Sequence, residues 1–232
     1  MYLKDLSIVT SAYNEEDNIS QLLDEIIDLS KKSGLNVEIV AVDNGSIDKT
    51  GKICDIYQKK FPGLIKTVHA GRPTLGKGNG VRLGIENSSG KYIAVIDSDL
   101  QFNTSDVFRL LDFLKKNNLG YVIGWRKHRQ DSFSRLFLSR VYNILIKILF
   151  NMPIEDVGAS PKLFKREAII NAKIKSKKWI IEIELPHIAK LNGYSGVSVE
   201  VTHKQRKAGE SKVNFKGIIG LIFDFFKYCL RI

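Results

Sequence analysis

Short apolar runs alternate with amphipathic segments through the first 126 residues of the chain. The apolar runs have the length of buried strands and predict five of them, at 6–12, 37–42, 64–70, 92–96 and 121–125. The segments between them repeat apolar residues every three or four positions, which is typical of helices with one buried face. Alternating strands and helices predict an α/β fold, with a mainly parallel, Rossmann-like sheet flanked by helices.

The second half of the chain has a different pattern. Residues 132–150 are helical in period but apolar nearly all round, with one narrow polar stripe made of Ser132, Arg135, Ser139, Asn143 and Lys147. Residues 217–232 repeat this arrangement. Such amphipathic helices are either buried in protein or lie in a membrane interface. Smaller elements are predicted between them: a strand at 161–164, helices at 166–172 and 179–191, and an edge strand at 197–201.

Polar side chains follow the strand at 92–96. Asp97, Ser98, Asp99 and Gln101 fall at its carboxyl end, which is where ligands bind in open α/β sheets. In an extended chain the alternate residues Asp97, Asp99 and Gln101 would point the same way. Oxygen ligands of this kind suit Mg²⁺ or Mn²⁺ carrying substrate phosphates. The alternative is a polar strand end that leads into a helix cap.

Two other predicted strands also end in carboxylates, Glu15 and Asp43. A glycine-rich basic loop at 71–80 contains Lys77, which could reach a phosphate group. An acidic edge beside a basic glycine loop suits a nucleotide with a metal-bound diphosphate. A P-loop of the Walker A type is the weaker interpretation, because Gly78 stands where that motif requires Ser or Thr and the loop does not follow the first strand.

Composition narrows the choice of partner. The 232 residues carry a formal net charge of +11, which favours nucleic acid, an anionic membrane surface or a phosphorylated substrate. Charge alone supports nucleic acid, since no recognition motif is present and acidic strand ends would repel phosphate without a metal. The two cysteines predict no disulfide and a reducing compartment. We also expect no signal peptide and no stretch that spans a bilayer.

Five motifs, in this order and spacing, carry a family resemblance. They are Ala12-Tyr13-Asn14-Glu15, Asp43-Asn44-Gly45-Ser46, Gly76-Lys77-Gly78, Asp97-Ser98-Asp99-Leu100-Gln101 and the basic motif Arg206-Lys207-Ala208-Gly209-Glu210-Ser211-Lys212. The chain resembles the family-2 glycosyltransferases of GT-A fold, and within them the dolichyl-phosphate mannose synthases and polyprenyl-phosphate sugar transferases. The resemblance implies a glycosyltransferase domain at 1–215, with a nucleotide-sugar half at 1–126 and an acceptor half at 127–215. It leaves 216–232 as a C-terminal amphipathic helix that associates with a membrane or a partner.

The resemblance also implies roles for individual residues. The donor would be bound by Ser11, Tyr13, Glu15, Asp43, Lys77, Asp97, Ser98 and Ser211. The metal would be held by Asp97, Asp99 and Gln101. Catalysis would depend on Asp97, Asp99, Arg126, Arg140, Arg206 and Lys212, the last four being cations near the acceptor phosphate. Departures such as Ser11 for proline and Asn44 for the second acid of the usual Asp-Asp-Gly-Ser bear on the nucleotide and sugar rather than on the fold.

The implied reaction moves a hexose from a GDP-mannose or UDP-glucose type donor to a polyprenyl or dolichyl phosphate, with inversion. A lipid phosphate is already an anion, so it needs cations rather than a general base. If the acceptor is instead a hydroxyl of a glycan, Glu182 or Asp156 is the expected base. The structural alternatives are a solvated helix face for Glu182 and a turn for Asp156.

A polyprenyl acceptor places the site at a membrane. We therefore expect a peripheral protein on the cytoplasmic face, docked by its amphipathic helices. Many members of this branch continue into transmembrane segments that these 232 residues lack. We expect one of three explanations: a peripheral form, a form bound to a membrane-anchoring partner protein, or a truncated chain.

Overall fold

The computed structural model describes residues 2–71, 74–127, 133–170, 174–204 and 224–230. Its strands are β1 (Lys4–Ala12), β2 (Val37–Asp43), β3 (Ile65–His69), β4 (Gly90–Asp97), β5 (Tyr121–Trp125), β6 (Lys162–Lys165) and β7 (Gly196–Glu200). Its helices are α1 (Ile19–Lys32), α2 (Thr50–Lys60), α3 (Lys77–Glu86), α4 (Ser105–Lys116), α5 (Phe133–Phe150), α6 (Arg166–Ile169) and α7 (Ile181–Leu191). Of the predicted helix at 217–232, the described part is helical over 224–229. The other predicted elements are all present, with bounds shifted by a few residues.

The seven strands form one sheet in the order β3-β2-β1-β4-β6-β5-β7. All neighbours are parallel except β6, which lies antiparallel between β4 and β5. The predicted, mainly parallel sheet is therefore confirmed, and β7 is at its edge as expected. The periodicity alone did not predict that β6 would separate β4 from β5.

Helices cover both faces of the sheet. Successive side chains of each strand point to opposite faces, so each central strand contributes to two cores. Leu6 and Ile8 of β1 belong to the core on the side of α1, α2 and α4. Val9 of the same strand belongs to the core on the side of α3 and α7. This two-faced burial explains why the central strands are nearly continuous apolar runs.

Helix α5 packs against the body of the protein on one side only. Ile146 and Phe150 are buried, and Asn143 accepts a hydrogen bond from the Val157 amide at 3.0 Å. The opposite side is apolar and exposed, at Phe137, Leu138, Val141, Ile144, Leu145, Ile148 and Leu149. These seven residues are called the α5 apolar face below. None of the helices in the described ranges is long and apolar enough to cross a membrane.

Candidate active site

The carboxyl ends of the three central strands bring the first predicted site residues together. Ser11 of β1 is the register partner of Asp97 on β4. Ala12, next to it, is the partner of Asp43 on β2. Ser98 approaches the same strand end, with its hydroxyl 3.4 Å from the Ser11 carbonyl oxygen. The parallel register thus places Ser11, Asp43, Asp97 and Ser98 along one edge of the sheet.

The chain turns immediately after Asp97. Strand β4 ends there, residues 98–100 form a bend, and Leu100 has a left-handed φ of 57°. Asp99 accepts a hydrogen bond from the Gln101 amide at 3.3 Å, which closes the turn. The expectation that Asp97, Asp99 and Gln101 converge through extended alternation was wrong, because the segment is not extended.

The chemistry of this turn fits a magnesium or manganese ion. Two carboxylates, Asp97 and Asp99, and the Gln101 amide offer only oxygen donors at the edge of the sheet. The described residues contain no group of three His, Cys, Asp or Glu side chains that could hold a metal. A small protein donor set is what Mg²⁺ and Mn²⁺ use when substrate phosphates and water complete the coordination.

Asp43 belongs to a polar cluster that includes a histidine. Its Oδ1 accepts the Ser46 amide at 2.9 Å, and its Oδ2 lies 3.1 Å from Nδ1 of His69. Nε2 of His69 lies 3.0 Å from Asp55. The hydrogen bond to Asp43 raises the pKa of His69, burial opposes this, and Asp55 adds to the rise. The sequence analysis missed His69, although it ends β3 at the same edge where Asp43 ends β2.

The loop after β1 interlocks with the loop after β2, and this fixes the positions of Tyr13 and Glu15. The Glu15 amide donates to the Thr50 hydroxyl at 2.8 Å. Asn14, with a φ of 52°, donates its amide to the Ser46 hydroxyl at 3.1 Å. Asn18 makes no capping hydrogen bond to α1, because its side chain donates to the Glu15 carboxylate at 2.8 Å instead.

The glycine loop is tied to neighbouring segments before it enters α3. Asn44 donates from its side chain to the Gly76 carbonyl at 3.0 Å, a bond that an ionised aspartate could not donate. Gly76 has a φ of 104°, in the region that favours glycine. A Cβ on Gly78 would lie 2.5 Å from the Lys178 carbonyl oxygen, so the loop packs backbone to backbone against 177–178.

Lys77, the first residue of α3, links Asp97 to Glu182. Its Nζ lies 2.7 Å from Asp97 Oδ1 and 2.5 Å from Glu182 Oε1. The other oxygen of Glu182 pairs with Lys162, which is 3% exposed. Burial opposes the charge on Lys77, but Asp97 and then Glu182 outweigh it and raise the pKa of this lysine.

Glu182 remains ionised for the same reason. Burial alone would raise its pKa, but Lys162 and then Lys77 outweigh that effect and lower the pKa of this carboxyl. The alternative that placed Glu182 on a solvated helix face was wrong, because the residue is buried beneath the glycine loop. A carboxylate held between two lysines is a weak proton acceptor.

The second candidate base is also held by a cation. Arg126 makes two hydrogen bonds to Asp156, from Nε at 2.7 Å and from Nη2 at 2.9 Å. Asp156 is 3% exposed, so it is a buried ion-pair partner and more than the turn residue of the structural alternative. The guanidinium also lies 5.9 Å from the ring centre of Phe102. Arg140 lies on the exposed side of α5 instead.

The basic motif lies outside the described residues, and with it Arg206, Ser211 and Lys212. The residues just before it are described. Lys204 donates its amide to the Gln101 carbonyl at 2.7 Å. His203 forms an isolated bridge with Phe102, with their ring centres 5.2 Å apart. The chain therefore passes beside the Asp97–Gln101 turn directly before the motif begins.

Family comparison assigns the class of protein. The model of the glycosyl transferase family 2 matches residues 7–171. The chain therefore belongs to glycosyl transferase family 2.

Curated relatives narrow this class. A dolichyl-phosphate β-glucosyltransferase from Dictyostelium discoideum is 33% identical over 205 residues, covering 81% of this chain and 63% of the relative. An undecaprenyl-phosphate 4-deoxy-4-formamido-L-arabinose transferase from Shewanella sediminis is 28% identical over 223 residues, covering 94% of this chain and 65% of the relative. The chain thus spans just under two thirds of each. The resemblance to polyprenyl-phosphate sugar transferases is confirmed.

Solved structures confirm the fold. A glucosyl-3-phosphoglycerate synthase from Mycobacterium tuberculosis, in complex with Mn²⁺, UDP and phosphoglyceric acid, has a TM-score of 0.72 at 19% identity, covering 98% of this chain and 79% of that one. A mannosyltransferase from Pyrobaculum calidifontis, in complex with GDP-mannose and Mn²⁺, has a TM-score of 0.65 at 20% identity, covering 90% and 59%. The predicted GT-A fold is correct.

Proposed function

We propose that this chain transfers a hexose from a nucleotide sugar to a polyprenyl phosphate, with inversion at the anomeric carbon. Membership of glycosyl transferase family 2 and the names of the relatives support a sugar transfer of this class. One observation favours a phosphate over a hydroxyl acceptor. Glu182 and Asp156, the two carboxyl groups expected to serve a hydroxyl as base, are buried and are each paired with a cation, Lys162 and Arg126 respectively.

The pairing of these two carboxyl groups matters because the two kinds of acceptor differ in whether they must lose a proton. A hydroxyl group must lose a proton as it attacks, so an enzyme that uses one needs a general base free to accept it. A phosphate oxygen is ionised before it binds and attacks without losing a proton. Its oxygen forms the new bond to the anomeric carbon while the diphosphate leaves with the electrons of the old one.

The donor occupies the sheet edge in this proposal. Asp43 binds the nucleoside, and Ser11, Tyr13, Glu15 and Ser98 line its pocket. Lys77 contacts the diphosphate from the start of α3. Asp97, Asp99 and Gln101 would hold Mg²⁺ or Mn²⁺, which supplies positive charge to the leaving diphosphate when bound.

The acceptor phosphate is bound by cations. Arg126 is fixed by two hydrogen bonds to Asp156, so its guanidinium is already oriented before any ligand binds. Arg140, Arg206 and Lys212 provide the other positive charges, in line with the family motif. Together they offset the repulsion between the acceptor phosphate and the donor diphosphate.

The α5 apolar face docks the protein on a membrane. It presents seven exposed apolar side chains in a stripe, with the basic residue Arg140 on the same side of the helix. Apolar faces of this kind insert into the boundary between headgroups and acyl chains, and nearby basic residues favour anionic lipids. We propose a peripheral position on the cytoplasmic face, with a membrane-anchoring protein as a further partner.

A transfer assay tests this proposal. GDP-mannose, UDP-glucose and UDP-N-acetylglucosamine are offered in detergent with Mn²⁺, each with a short polyprenyl phosphate or with the matching polyprenol. We expect product from one donor, only with the phosphate, and none with EDTA or with Asp99→Asn. Transfer to the polyprenol at a comparable rate would show that the acceptor is a hydroxyl and would refute the proposal.

A further inference from the structure

Four charged side chains alternate in sign from the core to the site edge. Lys162 of β6, Glu182 of α7, Lys77 of α3 and Asp97 of β4 each pair with the next. We propose that Glu182 is a positioning residue for the donor, which, backed by Lys162, holds the Lys77 ammonium where the diphosphate binds. This inference rests on the proposed donor site and extends it to a residue that makes no contact with the substrate.

The position of Glu182 is fixed from the protein side. Lys162 is buried and also donates to the Ala159 carbonyl at 2.6 Å, so it cannot swing away from its partner. It takes one carboxylate oxygen of Glu182, and Lys77 takes the other. Because each oxygen forms an ion pair, the orientation of the carboxylate is fixed by Lys162 and Lys77 together.

Lys77 is restrained by the segment that precedes α7. Its Nζ lies 5.2 Å from the ring centre of Trp179, within cation–π range. The Asn79 amide donates to the Lys177 carbonyl at 2.9 Å, which joins the start of α3 to the same segment. Glu184, two residues after Glu182 in α7, accepts hydrogen bonds from the amides of Lys175 and Ser176, both at 2.8 Å. In the first turn of α7, Glu182 therefore secures Lys77, and Glu184 secures the segment against which Lys77 packs.

The balance of charge gives Glu182 its functional consequence. With Glu182 ionised, Lys77 has two anionic partners and can turn toward a third anion without being pulled onto one of them. In Glu182→Gln, Asp97 becomes the one anionic partner left to Lys77 among the described residues. Since Asp97 is also a proposed metal ligand, Lys77 and the metal then compete for the same carboxylate. Binding of the metal–nucleotide complex should weaken even though no ligand contact is lost.

Calorimetric binding of GDP and UDP with Mn²⁺ tests this inference without an acceptor. We expect Glu182→Gln to weaken binding about tenfold, within the range for residues that interact directly. Lys77→Met should weaken it too, and the double variant should resemble Lys77→Met alone, because Glu182 acts through Lys77. Glu86→Gln, which breaks the exposed Arg82–Glu86 pair of α3, is the matched control and should bind like the parent chain.

The outcomes separate this inference from the proposed function. If the parent chain binds neither nucleotide, the proposed donor site fails. If the parent binds and Glu182→Gln binds equally well, or the two substitutions are additive, the positioning role is refuted. Retained binding with lost sugar transfer would instead identify Glu182 as a base. Should Glu182→Gln fail to fold, Glu182→Asp keeps the charge but is too short to reach both lysines, and it must also weaken binding.

Discussion

Two charged clusters lie at the same edge of the sheet and differ mainly in their burial. The outer cluster, Asp55–His69–Asp43, has side chains that are 45%, 50% and 12% exposed. The inner cluster, Lys162–Glu182–Lys77–Asp97, begins at 4% and reaches 23% at Asp97. Both alternate acid and base, so the pattern of charges alone would not distinguish them.

The difference in burial gives the two clusters different properties. In the outer cluster water screens the charges, and the hydrogen bonds to Asp43 and Asp55 raise the pKa of His69 against the effect of burial. In the inner cluster each charge is costly to bury without its partner, so the paired side chains are held in place. The outer cluster is therefore the more accessible to solvent and salt, and the inner one is suited to holding a fixed geometry.

The largest expected effect tests the burial of the inner cluster against an exposed ion pair. Lys162→Met leaves Glu182 buried with one cation fewer, and breaking such a buried pair costs about 3–5 kcal/mol in the free energy of unfolding. Urea denaturation measures this cost. Lys147→Met breaks the exposed pair between Lys147 of α5 and Glu155 of the following loop, and should cost only about 0–1 kcal/mol. Equal losses in both variants would mean that the inner cluster is no more than a surface ion pair.

A second substitution tests the outer cluster through ligand binding. Asp43→Asn removes a charged acceptor for the nucleoside, and hydrogen bonds to charged groups contribute about 1.5–3 kcal/mol. We expect GDP or UDP to bind roughly tenfold to hundredfold more weakly in calorimetry with Mn²⁺. The control Asp55→Asn removes the other partner of His69 and leaves Asp43 in place. Unchanged affinity in Asp43→Asn would remove this cluster from the donor site.

The two clusters should also differ in the pH range over which they stabilise the folded protein. The pKa of His69 is raised in the folded state, so its stabilising contribution is full below an unfolded pKa of about 6.5 and is lost as the pH rises through the folded value. The pKa of Glu182 is lowered, so its contribution is full above an unfolded value of about 4.3 and is lost as the pH falls through the folded one.

Urea unfolding across this pH range measures both contributions. His69→Asn should flatten the profile near and above neutrality and leave the acid side unchanged. Glu182→Gln should do the reverse, flattening only the acid side. A neutral-range change in Glu182→Gln would contradict the assignment of that carboxyl as ionised at neutral pH.

The smallest expected effect concerns salt. Asp55→Asn should lower the pKa of His69 slightly, and added salt should reduce this difference because both side chains are about half exposed. A proton NMR titration of the histidine ring follows it. A difference that persists unchanged in about 1 M salt, where the Debye length is about 3 Å, would show that the outer cluster is shielded from solvent.

Most of the fold was predictable because it depends on local patterns. Runs such as 92–96 predicted buried strands, and spacing such as Ile19, Leu22 and Ile26 predicted the helices. The antiparallel insertion of β6 was not predictable, since pairing between distant strands leaves no periodic signal in a four-residue strand. The exposure of the α5 apolar face was also not predictable, because an apolar helix with a narrow polar stripe can be either buried in protein or placed at a membrane interface.

The candidate site was predictable where residues end strands, as Asp43 and Asp97 do. It was not predictable where distant segments meet. Lys162 and Glu182 are 20 positions apart and both lie far from Lys77 in sequence, so their pairing depends on how β6 and α7 pack beneath the glycine loop. For the same reason the sequence offered Glu182 as a base, while its buried lysine partners indicate a fixed anion.

The ionisation of Glu182 tests the central claim of this account most directly. A ¹³C NMR titration of the side-chain carboxyl, assigned by comparison with Glu182→Gln, reports its pKa in the folded protein. We predict a signal that stays at the ionised position from about pH 8 down to the unfolded glutamate value of about 4.3. Titration near neutrality would mean that the carboxyl can accept a proton during catalysis, and it would favour a hydroxyl acceptor over a lipid phosphate.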